Sequence, residues 1–114
     1  MKIQEVVSII GGEVLCCNHL LDREVEFAFA SDLMSDVLTT QVDKMLLLTG
    51  LANLQAIRTA EMSDINCVVF VRNKKVTPEM ISLAIELEII IVECKTSMFS
   101  ASGKLYTNGL KPVF

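Results

Sequence analysis

Two short, almost wholly apolar segments, Cys67-Val68-Val69-Phe70-Val71 and Ile89-Ile90-Ile91-Val92, stand on either side of a well-marked helix start. Both are rich in β-branched residues and bounded by polar turns, the pattern of strands buried on both faces of a parallel sheet. Between them Thr77-Pro78-Glu79 places a hydroxyl at the N-cap, a proline at the first helical position and an acid in the first turn. A strand, a crossover helix and a second parallel strand admit few architectures, because helices must then cover the sheet. The fold class is α/β, a mainly parallel sheet flanked by helices on both faces.

The remaining segments extend the alternation. Ile3, Val6, Val7 and Ile10 recur at helical spacing and Gly11-Gly12 follows, so residues 2–11 form a surface helix. Residues 13–17 read as a strand. Val25, Phe27 and Phe29 alternate with Glu24, Glu26 and Ala28, which predicts a half-buried strand in an edge or antiparallel position. Ser31 or Asp32 is placed to cap a short helix through Leu38. Residues 45–48 form another buried strand, and Thr49-Gly50 leads into a helix over 51–62 with Leu51, Leu54, Ile57 and Ala60 toward the sheet. The last helix opens at Thr96 or Ser97 and closes at Asn108-Gly109, with Met98, Phe99, Ala101, Leu105 and Tyr106 as its apolar side. Pro112 prevents its continuation. No linker or low-complexity tract interrupts the pattern, so residues 1–114 are expected to form one domain.

Of the 114 residues, 52% are apolar, and a chain of this length buries about two-thirds of its unfolded surface. No apolar run reaches the ~20 residues that span a bilayer. The helix from Pro78 to Leu87 has only Glu79, Ser82 and Glu86 on its polar stripe. A surplus of this kind predicts a homodimer packed through that helix or the terminal one, the alternative being burial between neighbouring helices of the same chain. A net charge of −4 argues against a broad nucleic-acid surface. The amino terminus lacks the apolar core of a secretion signal, so a cytoplasmic location is expected. Cys16, Cys17, Cys67 and Cys94 show no Cys-x-x-Cys spacing and read as reduced core thiols rather than metal or cluster ligands. No metal or cofactor is implied.

In open parallel sheets, ligands bind outside the carboxyl ends of the strands. Thr49-Gly50, Arg72-Asn73-Lys74-Lys75 and Lys95-Thr96-Ser97 would converge there, offering hydroxyls, backbone N–H groups and positive charge. Thr49, Gly50, Arg72, Lys74, Lys95, Thr96 and Ser97 are therefore candidate contacts for an anionic small molecule. The plainer alternative makes Thr96 and Ser97 helix caps and the lysines solvated loop residues. Asp22-Arg23 is either a ligand contact, with Arg23 the candidate, or a pair that pins its loop. Asp32 and Asp36, one turn apart, read as a cap and a solvated face rather than a cation site. His19, the single histidine, stands in a turn without an evident partner, and no nucleophile–base constellation or phosphate-loop motif occurs.

Leu21-Asp22-Arg23-Glu24-Val25, then Ala30-Ser31-Asp32-Leu33-Met34-Ser35-Asp36-Val37-Leu38, then Met98-Phe99-Ser100-Ala101-Ser102-Gly103-Lys104-Leu105-Tyr106 follow one another in one domain. Together they resemble a stand-alone DRTGG domain over nearly the whole chain. Of the Asp-Arg-Thr-Gly-Gly motif, Asp22 and Arg23 match. Glu24 replaces the threonine, and Phe27-Ala28 occupy the region where glycines would let a backbone approach a ligand. The resemblance implies an accessory α/β domain of the kind found alone or beside CBS domains and in some phosphate acetyltransferases, similar in fold to the amino-terminal domain of HPr kinase/phosphorylase. Taken with the strand-end loops and the narrow polar stripes, the reading is a non-catalytic regulatory or ligand-sensing module, expected to bind a nucleotide or other anionic metabolite or a protein partner and to act as a homodimer. A redox or metal-associated accessory protein of the iron-sulfur hydrogenase-linked type is the alternative.

Overall fold

The computed structural model describes all 114 residues. Its elements are α1 (Ile3–Ile10), β1 (Glu13–Cys16), β2 (Phe27–Ala30), α2 (Met34–Val37), β3 (Met45–Thr49), α3 (Leu54–Met62), β4 (Cys67–Phe70), α4 (Pro78–Leu87), β5 (Ile90–Glu93), α5 (Met98–Thr107) and β6 (Lys111–Pro112). The six strands form one sheet in the order β1-β5-β4-β3-β2-β6. All neighbours run parallel except β1, which pairs antiparallel with β5 and carries a bulge between Val14 and Cys16. The crossovers from β2 through β5 advance in one direction across the sheet, while the connection from β5 to β6 returns. Right-handed crossovers therefore put α2, α3 and α4 on one face and α5 on the other. The packing agrees: α3 lies against α4 and α2, and α5 lies against α1.

The centre of the sheet explains the sequence pattern at its strongest. Every residue of β3 and β4 is buried, as are Ile90, Ile91 and Val92 of β5. Thr77 Oγ1 accepts from the Met80 backbone N–H at 3.2 Å, so the cap that opens α4 is formed as the sequence predicts. Gly11 closes α1 in the left-handed conformation, with φ of 64°.

Several expectations are corrected. The antiparallel strand is β1, whereas β2 is parallel to both its neighbours and owes its half-buried pattern to the two-residue strand β6 beside it. Neither Ser31 nor Asp32 caps α2, whose N-cap is Leu33 without a side-chain bond; Ser31 Oγ instead accepts from the Leu33 N–H, and Asp32 is drawn elsewhere. α3 begins three residues later than the periodicity implies, because Asn53 accepts from the Ala56 N–H and fixes the start there; Leu54 is consequently exposed. Most of the broad apolar surface of α4 is absorbed within the chain: Met80 and Ala84 are buried, and Ile81, Leu83 and Leu87 pack on the core, which leaves Ile85 as its one exposed large apolar side chain. On α5 the apolar side divides, since Ala101 and Leu105 are buried while Phe99 is 89% and Tyr106 66% exposed.

All four cysteines are free and buried. Burial, and secondarily its neighbour Cys17, pushes the Cys16 thiol from an ordinary 9.0 up to about 11. Burial likewise raises Cys67, well above the ordinary thiol range. Between 9 and 11 the unfolded chain releases the Cys16 proton while the fold retains it, so stability falls as pH rises through that window. We expect urea midpoints measured from pH 8 to pH 11 to decline, and the decline to shrink in Cys16→Ala, with thiol labelling at pH 7 slow until the chain is denatured.

Candidate ligand site at the carboxyl ends of the strands

Because β2 to β5 are parallel, the loops that follow them emerge at one edge of the sheet. The Asp32 carboxylate is the hub. Its Oδ1 accepts from the Gly50 backbone N–H at 2.6 Å and from Thr49 Oγ1 at 3.2 Å, and its Oδ2 accepts from Arg72 Nη2 at 3.1 Å. Arg72 and Asn73 both take left-handed backbone conformations, with φ of 65° and 57°. That turn lays the loop against the end of β5, where the Arg72 N–H donates to Thr96 O at 2.8 Å and the Asn73 N–H to Cys94 O at 3.1 Å. One chain of contacts thus joins the loops after β2, β3, β4 and β5. The missing side chain of Gly50 is what lets the Arg72 guanidinium lie against the turn: a Cβ there would lie 2.7 and 2.8 Å from Nε and Cζ of Arg72 and would displace them.

Beside this tie lies a cleft of about 260 Å³, walled by Asn73, Lys74, Lys75, Lys95 and Thr96, with Glu13 and Glu93 opposite. Glu93 is occupied, since Oε2 accepts from the Val76 N–H at 2.9 Å and Oε1 stands 3.9 Å from Lys75 Nζ. Lys74 and Lys95 enter none of the ion pairs. They are exposed ammonium groups facing a polar cleft, the arrangement that receives an anion.

The sequence-predicted residues therefore divide. Thr49, Gly50 and Arg72 come together, but around Asp32 rather than around an open site. Lys74, Lys95 and Thr96 line the cleft, although the Thr96 hydroxyl is engaged with Cys94 Sγ at 3.0 Å. Ser97 caps α5, its Oγ accepting from the Ser100 N–H at 3.0 Å. Arg23 stands at the other end of the sheet: Nη1 donates to Glu88 O at 2.6 Å, closing the carboxyl end of α4 just before β5 begins. That is a helix-terminus role, which suits a cation. The sequence reading missed Asp32, Glu13 and Glu93 as participants. For Asp32 the available signal was an acid two residues after the end of a strand of a parallel sheet. His19 is exposed, and no group of three or more His, Cys, Asp or Glu side chains converges. No helix is long and apolar enough to cross a membrane.

The fold and this edge define an open α/β domain whose polar chemistry is concentrated where the strands end. The chain belongs to the DRTGG domain family, which matches residues 5–107. The resemblance carried by Asp22-Arg23 and the two later segments is met, as is the fold class. No curated protein matches the sequence. Among solved structures, the chain is similar to the regulatory region of Clostridium perfringens pyrophosphatase, comprising CBS and DRTGG domains and complexed with the activator diadenosine tetraphosphate. The TM-score is 0.73 at 10% identity, over 98% of this chain and 48% of that one, so the chain spans about half the length of that region.

Asp32 and Arg72 separate two kinds of contribution. The ion pair is half-exposed, with side chains 49% and 48% accessible, and such pairs contribute under about 1 kcal/mol. The acceptor for the buried Gly50 N–H is worth more, because an unpaired buried donor costs about 1–3 kcal/mol. Urea denaturation of the variants should rank Asp32→Ala as the most destabilised, with Arg72→Ala and Asp32→Asn each losing less than half as much. Equal losses for Arg72→Ala and Asp32→Ala would give the ion pair the larger share.

Proposed function

We propose that this chain is a non-catalytic regulatory module that senses a phosphorylated, anionic small molecule at the cleft beyond the strand ends. The observation that carries the reading is the pair of unpartnered ammonium groups, Lys74 and Lys95, over that cleft on a chain of net charge −4. The Asp32–Arg72 tie supplies the rigid frame, since it fixes the loops that present both lysines. A DRTGG-containing regulatory region of the same fold that was solved with a nucleotide activator supports a nucleotide as the first class to test.

Melting curves with adenine and guanine nucleotides, sugar phosphates and sulfate provide the test. Ligand at about 100 times its dissociation constant stabilises the native state by roughly 2.7 kcal/mol. For a domain near this size that raises the melting temperature by on the order of 10 °C. Lys95→Ala and Lys74→Ala should reduce the response, whereas Lys2→Ala, on the residue that precedes α1, should not. A panel that moves the melting point no further than sulfate does would remove the anion reading in favour of partner binding.

The assembly we propose is a homodimer through the outer side of α5. Phe99, Gly103 and Tyr106 share one stripe of that helix at i, i+4 and i+7. A glycine inside a helix costs about 0.5–1 kcal/mol, and a Cβ at Gly103 would meet nothing within 4 Å in this chain. Close approach of a second helix gives that position a use. Light scattering at tens of micromolar should report a dimer, and Phe99→Glu with Tyr106→Glu should return a folded monomer. A wild-type monomer at that concentration would remove the interface.

A further inference from the structure

Two walls of the cleft beyond β5 carry opposite charge, and the chain leaves both unbalanced. On one wall stand Lys74 and Lys95, which enter no ion pair. On the other stand Glu13 and Glu93, brought together by the register of the sheet: in the antiparallel pairing of β1 with β5, Glu13 is the direct partner of Glu93. Directly opposed residues of such a pair project to the same face with Cβ atoms about 4.5–5.5 Å apart, and like charges in that position are destabilising. Glu93 has relief, since the Val76 N–H and Lys75 serve its two oxygens and its side chain is only 16% accessible. Glu13 has none: it is exposed and enters no ion pair.

These charges do not neutralise one another across the opening. Neither lysine comes within ion-pair distance of Glu13, although all three line one cleft of about 260 Å³. The cleft holds them apart, so a molecule seated between them meets a cationic wall and an anionic wall at once. A ligand that is anionic throughout would gain at Lys74 and Lys95 and be repelled at Glu13. We propose that the occupant is dipolar: a phosphorylated small molecule that carries a protonated amine, with its phosphate at Lys74 and Lys95 and its ammonium against Glu13, where it also offsets the charge of Glu93. This rests on the cleft's receiving an anion and adds the group at the other end of the ligand. Size points the same way. Pockets for drug-sized ligands hold about 300–1,000 Å³, so a cleft of about 260 Å³ suits a sugar phosphate better than a dinucleotide. Asn73 also lines the cleft, and its side-chain amide can donate to and accept from hydroxyls.

Calorimetric titration of the full chain at neutral pH and low ionic strength, with glucosamine 6-phosphate and glucose 6-phosphate as a matched pair, tests it. The two differ by an amine in place of a hydroxyl. We expect the amino compound to bind about tenfold more tightly, the effect of one charge-assisted hydrogen bond. N-acetylglucosamine 6-phosphate, which keeps the nitrogen and loses its charge, should bind no better than glucose 6-phosphate. Glu13→Gln should erase the preference by weakening the amino compound alone, and should be as stable as the wild type because it removes a repulsion. Lys74→Ala and Lys95→Ala should weaken both compounds alike. Equal binding by the wild type, or a preference that survives in Glu13→Gln, would overturn the inference and leave the anion site standing. Failure of both compounds to bind would overturn it too, and the nucleotide panel would then decide the anion reading by itself.

Discussion

Burial of the central strands on both faces is the constraint from which the rest follows. Strands β3 and β4 have no exposed residue, and their backbone polar groups are consumed by the parallel ladders on either side. Such a core has no room for charge or for a reacting group. Polar chemistry is displaced to the strand ends, and because the four inner strands point the same way, it accumulates at one edge. The position of the lysine cleft is thus a consequence of strand direction before it is a property of any lysine.

The loops at that edge would repel one another if they presented only donors. Asp32 resolves this by acting as a built-in anion, drawing in a backbone N–H, a hydroxyl and a guanidinium from loops that follow two other strands. Arg72 is held by this contact and is therefore less available as a ligand group than its charge implies. The paired Arg72 and the free Lys74 and Lys95 illustrate how cations adjacent in sequence take unequal roles once a single carboxylate has been placed.

What was legible in the sequence is what depends on neighbours a few residues away. The start of α4 is written in Thr77 and Pro78, the end of α1 in Gly11, and β4 in a run of β-branched residues. Strand direction is not local: β2 was given an edge or antiparallel position because alternation reports half-burial and says nothing about a partner's orientation. The partners of Asp32 were illegible for the same reason, since Thr49 and Arg72 lie 17 and 40 residues away. Arg23 answers to Glu88, 65 residues distant. The edge strand β6, two residues long, is too short to leave any periodicity. Phe99 and Tyr106 were read together with Ala101 and Leu105 as one apolar side, because apolar residues on a helix carry no mark distinguishing a core from a free surface.

The two borders of the sheet have a bearing on how copies of the chain can meet. On one side β1 is bulged and begins at an exposed Glu13; on the other β6 is a two-residue strand ending in Pro112, which has no N–H to offer. Neither border presents a straight row of unpaired donors and acceptors, so continuous strand-to-strand growth is blocked at both ends. A chain with so apolar an interior is thereby protected from templating its own aggregation, and whatever contacts it makes with other proteins are left to side-chain surfaces on its helices and loops.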